Sequence, residues 1–291
     1  MRIVITGATG FIGSNLAKLF LEKGAEVFAL VRPESSHLEA LPKHEKLHMV
    51  SCGLSNVMDC IGQIGQADAF FHLAWGGVNR QEIDSPQVQA KNVAGSLECI
   101  RAAKELGCTM FMDAGSRVEY GLIDGFMKED IDCHPVNQYG KAKWEFYQKA
   151  APLCTDLGIH YVHLRFFSVY GTGDHPWSII STLVRELPAG NKVSLSACRH
   201  QWNFMYIDDA VEAVYELYTH LPQSAKEGFK KNGLVNTIVN IAGKDTRVLK
   251  DFVEEIHTIA GGAGQLEYGT FVQAKEGALS IKPDISRLML L

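Results

Sequence analysis

The sequence predicts an α/β fold, a doubly wound parallel sheet with a smaller, interleaved C-terminal lobe. Apolar runs alternate with helical patterns through the first half of the chain, as a parallel sheet covered on both faces requires. A glycine-rich turn joins the first apolar run to the first helical pattern. Further on, Ala69-Phe70-Phe71-His72-Leu73-Ala74 is a short apolar run of the fully buried strand kind.

The elements follow in order. Strands are expected at 2–6, 26–31, 47–51, 69–73, 108–113 and 160–165, with helices near 11–23, 55–64, 87–106 and 137–157 between them. In the first helix Ile12, Leu16, Leu19 and Phe20 share one stripe at helical period. Six strands joined by right-handed crossovers put a ligand crevice at their carboxyl ends. From 166 the pattern loosens: Gly171 to Pro176 is a loop, followed by a helix near 177–187. Strands near 193–195, 203–207 and 236–241, with helices near 208–220 and 246–260, form the smaller lobe. The Lys- and Gly-rich stretch 223–233 reads as an exposed loop. Residues 1–165 then make the first domain and 166–291 the substrate-binding lobe, with segments of the two interleaved.

Composition narrows the function. The 291 residues are 46% hydrophobic and 21% charged, which is ordinary for a chain with a full core. A net charge of −5 argues against general affinity for nucleic acid or an anionic membrane. No apolar run is long enough to span a membrane, and the chain opens at once on a strand, so a cytoplasmic location is expected. The seven cysteines are scattered without a CxxC pair and read as reduced core residues; the histidines show no metal-ligand spacing, so no metal is expected.

Thr6-Gly7-Ala8-Thr9-Gly10-Phe11-Ile12-Gly13 follows the first strand and opens the first helix. Its glycines permit a tight turn, close approach to a pyrophosphate and close helix–strand packing, while the helix N-terminus offers N–H groups to the phosphates. This is the dinucleotide loop of a Rossmann fold. An acid at the end of the second strand would bond both ribose hydroxyls of NAD; here Leu30-Val31-Arg32-Pro33 puts a guanidinium there. NADP(H) is therefore favoured, with NAD(H) as the alternative.

Tyr139 and Lys143 stand at i and i+4, one turn apart on one helix face. An ammonium beside the phenol is expected to lower the tyrosine's pKa towards neutrality and make it a usable acid and base. Ser116 falls at the carboxyl end of the strand before this helix, where such a sheet builds its site. His72 reads as a satisfied structural histidine and Tyr120 as a packing residue beside the loop. Trp177 reads equally as core or cleft lining, and Asp208 and Asp209 as helix cap and first-turn residues.

With these motifs the chain resembles the extended short-chain dehydrogenase/reductase family, the nucleotide-sugar epimerases, dehydratases and ketoreductases. The resemblance spans nearly the whole chain. It rests on the Gly7/Gly10/Gly13 loop, His72-Leu73-Ala74, Asn92 to Gly95, Ser116 with Tyr120-Gly121, and Tyr139/Lys143, and continues through Arg165 with Val169-Tyr170-Gly171 and Tyr206-Ile207-Asp208-Asp209. It implies Tyr139 as general acid/base, Lys143 as its tuner and a ribose ligand, and Ser116 as hydrogen-bond partner of the substrate oxygen. It implies Gly7, Thr9, Gly10, Phe11, Ile12, Gly13, Arg32, Leu73, Ala74 and Asn92 around the cofactor. Trp75, Glu119, Ser168 and Arg199 are the expected substrate residues.

The chain departs from the family at informative places. Dehydratases carry acids directly after the catalytic hydroxyl; here Arg117 and Val118 stand there, and Glu119 comes one position late. Glu119 reads as a second acid/base or as an ion-pair partner. Ser168 replaces an asparagine, and Trp202-Asn203-Phe204 replaces an Arg-Asp-Phe whose arginine binds the diphosphate, so Arg199 is expected to supply that charge. The family would also continue past Pro283-Asp284-Ile285-Ser286-Arg287 into a final helix. A homodimer through helices 87–106 and 137–157 is implied by resemblance. The expected activity is NADP(H)-dependent reduction of a keto group on a nucleotide-linked sugar, in deoxysugar or surface-polysaccharide synthesis. The alternative is a nucleotide-sugar epimerase with tightly bound NAD. A reductase of non-nucleotide ketones is also open, and a cofactor-binding protein without chemistry would be expected to have lost Tyr139 or Lys143.

Overall fold

The computed structural model describes residues 1–35, 37–79, 81–224, 230–271 and 280–290. The first half runs β1 (Arg2–Thr6), α1 (Phe11–Glu22), β2 (Glu26–Val31), β3 (Leu47–Ser51), α2 (Val57–Cys60), β4 (Ala69–His72), α3 (Pro86–Glu105), β5 (Met110–Ser116), α4 (Gln138–Leu157) and β6 (His160–Phe166). The second half runs β7 (Ser168–Tyr170), α5 (Ile179–Glu186), β8 (Lys192–Leu195), β9 (Gln201–Tyr206), α6 (Ile207–Ser224), β10 (Lys230–Lys231), β11 (Leu234–Ile241), β12 (Thr246–Val248), α7 (Leu249–Ile259) and β13 (Gln265–Tyr268).

The main sheet has the order β10-β11-β6-β5-β4-β1-β2-β3. Seven of these strands are parallel, and β10 is antiparallel to β11 at the edge. The expected doubly wound parallel sheet is present. From β1 the chain builds outward through β2 and β3, then returns to β4 on β1's other side and builds the opposite way. Ile3 of β1 accordingly pairs with both Val27 of β2 and Ala69 of β4. A crevice forms at that reversal, because consecutive crossovers diverge there.

Strand alternation divides the core into two layers. Ile3, Ile5 and Phe71 face α1 and α6, packing on Leu16, Phe20 and Val214; Val4, Phe70 and Phe111 face α3 and α4, packing on Ile100 and Phe146. Each such large apolar side chain contributes roughly 1.5–3 kcal/mol on burial.

The structure corrects several expectations. The strand near 236–241 and the helix near 208–220, assigned above to the smaller lobe, belong to the main sheet: β11 pairs with β6 in parallel, and α6 covers the same face as α1. Five consecutive residues of β11, Thr237–Ile241, are buried, as in a strand covered on both faces. The expected helix at 55–64 breaks into a four-residue α2 between two 3-10 turns, with glycines at 53, 62 and 65 around it. The helix expected from 246 begins at Leu249, because Thr246–Val248 pair with β9 as β12. In the 223–233 stretch α6 extends to Ser224 and β10 occupies Lys230–Lys231; residues 225–229 lie outside the described residues.

The smaller lobe is built on a sheet of order β12-β9-β7, a β13–β8 pair, and α5 and α7. Its core gathers Leu183, Leu187, Val193, Leu195, Leu249 and Val253. Among the described residues no helix is long and apolar enough to cross a membrane. All seven cysteines are free, and all but Cys133 are buried.

Candidate active site

The glycine loop leaves β1 at Gly7, whose φ of +68° puts it in the left-handed region. A Cβ on Gly7 would lie 2.7 Å from the Ala74 nitrogen, and one on Gly13 would overlap the Gly7 carbonyl. The loop after β4 is thus pressed against the glycine loop, and α1 starts directly behind it. Thr6 ties the two together: its Oγ1 accepts from the Ala74 N–H at 3.3 Å and meets His72 Nδ1 at 2.8 Å. The N-cap of α1 is Gly10, without a side-chain cap and without an acid in the first turn. Its first N–H groups therefore have no side-chain competitor, and the residues present fit a dinucleotide's phosphates. Leu73 and Ala74 border this cradle, Phe11 and Ile12 open α1, and Thr9 Oγ1 reaches Ser35 Oγ beyond β2 at 3.2 Å. Arg32 is exposed just past β2, with no hydrogen bond or ion pair to its guanidinium among the described residues.

Ser116 ends β5, and Tyr139 and Lys143 lie on the first turns of α4. That helix starts at Asn137, whose side chain accepts from the Gly140 N–H and so fixes where the first turn sits. The Ser116 side chain bears on the Tyr139 phenol and favours its charged form. Lys143 is buried and donates to the Ala114 carbonyl at 2.7 Å. Its ammonium also lies 3.6 Å from the centre of the Trp75 ring and 5.8 Å from that of Tyr139. The three expected catalytic residues therefore share one place above the carboxyl end of the sheet.

The electrostatics differ from the expectation for Tyr139. Burial pushes the phenol up to about 12, against the opposing pull of Ser116 and Arg117. The phenol is therefore not lowered towards neutrality as expected, because burial outweighs the groups that favour its charged form. Burial instead brings Lys143 itself down to about 8, with Asp113 and Glu119 holding against that fall.

Glu119 is not a substrate residue. It is wholly buried; Oε1 accepts from the Ser116 N–H at 2.6 Å and Oε2 meets His163 Nε2 and Arg165 Nε, each at 2.9 Å. His163 Nδ1 in turn lies 3.0 Å from Asp113. Burial opposes the charge on Glu119, but His163, Arg165 and the Ser116 N–H outweigh it and hold the carboxyl at about 2. Burial likewise opposes the charge on His163, and Asp113 and Glu119 outweigh it, raising the imidazole to about 9. Strand register creates this network, since Asp113 pairs with His163 and Gly115 with Arg165. A Cβ on Gly115 would enter the His163 ring, so glycine is needed there. The legible signal was a buried strand, β6, carrying His163 and Arg165 two residues apart on one face.

Other expected site residues are placed as follows. Asn92 is nearly buried and exchanges hydrogen bonds with Gly76, at 3.0 and 2.8 Å, so it clamps the loop after β4 rather than offering its amide to a cofactor. Trp75 is at the site, but its N–H donates to Gln89 Oε1 and its ring packs on Lys143 and Tyr139. Ser168 is half-buried at the start of β7, opposite Phe204. Arg199 is exposed before β9 and has no contact with Ser116, Tyr139 or Lys143 among the described residues; the cation beside them is Arg117.

His72 is buried between Thr6 and Ser96 Oγ, the latter at 2.7 Å, and burial pulls it down to about 3. Tyr120 packs with Met127 and Phe167 and donates to Asn240 Oδ1 at 2.7 Å, away from the glycine loop where it was expected. Trp177 is not a core residue: it is 75% exposed and stacks on His175. Asp208 and Asp209 occupy the first turn of α6.

Comparison with known proteins agrees with this geometry. A probable UDP-glucuronate 4-epimerase of Rhizobium meliloti (strain 1021) is 24% identical over 284 residues, covering 90% of this chain and 83% of the relative. A dTDP-6-deoxy-L-talose 4-dehydrogenase (NAD(+)) of Aggregatibacter actinomycetemcomitans is 31% identical over 179 residues, 60% of this chain and 63% of the relative. The structure of MoeE5 in complex with UDP-glucuronic acid and NAD superposes with a TM-score of 0.80 at 25% identity, covering 100% of this chain and 92% of that one. The model of the NAD dependent epimerase/dehydratase family matches residues 3–242, and the chain belongs to that family.

Proposed function

We propose that the chain is a nucleotide-sugar epimerase that keeps its NAD bound through turnover. The observation that carries this reading is the absence of a free acid beside Ser116. Arg117 and Val118 follow it, and Glu119 is turned inward onto His163 and Arg165. Removing a hydroxyl as water needs an acid at the leaving oxygen, and this site offers none there. Oxidation at a carbinol carbon followed by return of the hydride needs only the Ser116, Tyr139 and Lys143 set. The similarity to the probable UDP-glucuronate 4-epimerase supports epimerisation, and the NAD held in the MoeE5 structure supports NAD over the NADP(H) expected from Arg32.

In this reading the nicotinamide supplies a hydride acceptor and donor. Tyr139 takes the hydroxyl proton as the phenolate, a form that the neighbouring Arg117 and Lys143 charges favour against burial, and later returns it, while Ser116 holds the same substrate oxygen. Lys143 carries a charge one helical turn from the phenol and is positioned by Ala114 and Trp75. Trp75 and the Asn92-clamped loop shield that charge from water. A second reading, NADP(H)-dependent reduction of a keto sugar, is favoured by the uncommitted guanidinium of Arg32 past β2.

The test is to denature the purified protein, identify any released dinucleotide, and incubate the intact enzyme with UDP-sugars while following both epimers by NMR. Stoichiometric NAD and interconversion without net consumption of reductant are expected. A protein free of dinucleotide that oxidises NADPH in step with a keto sugar would overturn epimerisation and install the second reading.

A further inference from the structure

The cleft holds a cation without a partner. Arg117 follows Ser116 on a 3-10 turn (Arg117–Tyr120) and is half-buried. Among the described residues its guanidinium makes no hydrogen bond and no ion pair; it rests over the Trp202 ring at 5.3 Å. Other sheltered cations are engaged, Arg165 by Glu119 and Lys143 by the Ala114 carbonyl. Burial has already pulled Arg117 down to about 10, so its charge is partly stripped of water. A desolvated cation is costly unless a counter-charge meets it.

Two further polar groups stand beside it unsatisfied. His200 lies 5.2 Å from Trp202, ring to ring, and among the described residues both His200 Nε2 and Trp202 Nε1 are buried without a hydrogen-bond partner. Burial and the Arg117 charge keep His200 neutral, so its ring can carry a proton on Nε2 and donate it. Arg117 follows Ser116 directly and rests over Trp202, so it joins the end of β5 to this pair.

We propose that Arg117, His200 and Trp202 form an oxyanion subsite for a carboxylate carried by the sugar ring itself, so that the preferred substrates are acidic, uronate-type sugar nucleotides. This rests on the nucleotide-sugar reading and sharpens it. A ring whose hydroxyl reaches Ser116 and Tyr139 brings its own substituents to the residue next to Ser116, whereas the diphosphate is held further along the substrate. The planar fork of Arg117 matches a carboxylate in two-point contact. The position that carries an acid in a dehydratase here carries the opposite charge, which suits an anionic substrate.

The test measures binding of UDP-glucuronate, UDP-glucose and UDP to the purified holoenzyme by calorimetry, in wild type, Arg117→Gln and Arg117→Lys. The wild type is expected to bind UDP-glucuronate about tenfold or more tightly than UDP-glucose, the scale of one charge-assisted contact. Arg117→Gln is expected to abolish that preference while leaving UDP unchanged. Arg117→Lys, which keeps the charge and loses the fork, is expected to retain part of it. No preference in the wild type, an intact preference in Arg117→Gln, or an equal loss for all three ligands would each overturn the proposal; the last would assign Arg117 to the diphosphate. A wild type that binds UDP and UDP-glucose without favouring the uronate leaves the nucleotide-sugar reading standing and removes only the carboxylate subsite. Failure to bind any of the three removes the reading on which it rests.

Discussion

Ser116 is held from below. Its N–H donates to Glu119, and Glu119 is fixed by His163 and Arg165, all within a volume closed to water. Glu119→Ala would leave the buried Arg165 guanidinium without its counter-charge and His163 with Asp113 alone, and is expected to cost about 3–5 kcal/mol in a denaturant titration. The same groups set a pH optimum for stability. His163 is raised from 6.5 to about 9, so its contribution is complete below pH 6.5 and is lost as pH climbs towards 9. His72 is lowered from 6.5 to about 3, so its contribution is present above pH 6.5 and is lost as pH falls towards 3. Tm is therefore expected to peak near pH 6.5, and His163→Gln should flatten the alkaline limb alone; a limb of unchanged slope would refute the assignment. At the phenol, Tyr139→Phe should lower kcat roughly a hundred- to ten-thousandfold while the protein keeps its dinucleotide, since the lost group moves a proton. Tyr139 and Lys143 were legible from their spacing. The direction of the Tyr139 shift was not, because burial sets it, and how deeply the phenol is buried depends on which distant elements pack around it.

Elements meet most closely where the loop after β1 touches the loop after β4. Gly7→Ala combines a left-handed backbone, about 1–2 kcal/mol for a residue with a Cβ, with an overlap on Ala74 worth about 1–3 kcal/mol. Loss of stability together with loss of retained dinucleotide is expected, read by thermal unfolding and by analysis of the denatured supernatant. A variant that keeps both would show that the two loops can part without consequence. Long elements with strong periodicity were readable: β2 and β3 begin and end where alternation and apolar runs put them, at Glu26–Val31 and Leu47–Ser51. Among short strands β4 and β8 fell where strands were expected, at 69–73 and 193–195, whereas β7, β12 and β13, of three or four residues each, were not read. Their pairing partners are distant in sequence, and it is the partner that makes each a strand.

At the scale of the whole molecule, the crevice at the β1/β4 reversal couples ligand binding to stability, since a ligand held there contacts two loops and a helix end together. Stripped protein should gain about 2.7 kcal/mol when NAD is restored at a hundred times its dissociation constant, read as a rise in Tm. NADP at equal concentration should give less if the epimerase reading holds; a larger rise with NADP, cancelled by Arg32→Asp, would favour the reductase.

The parallel-sheet class, the glycine loop and the spacing of Ser116, Tyr139 and Lys143 are properties of local pattern: period, spacing and turn chemistry act over a few residues and survive any arrangement of the rest. The placement of β11 and α6 in the main sheet, the burial of Glu119 and the isolation of Arg117 are not. Each depends on which side chain from a distant segment arrives as partner. His163 and Arg165 come to Glu119 through the register of β5 with β6, and Trp202 comes to Arg117 from β9. Whether a charge works on the substrate or on the fold is decided by whether such a partner is there, and only the tertiary structure brings it.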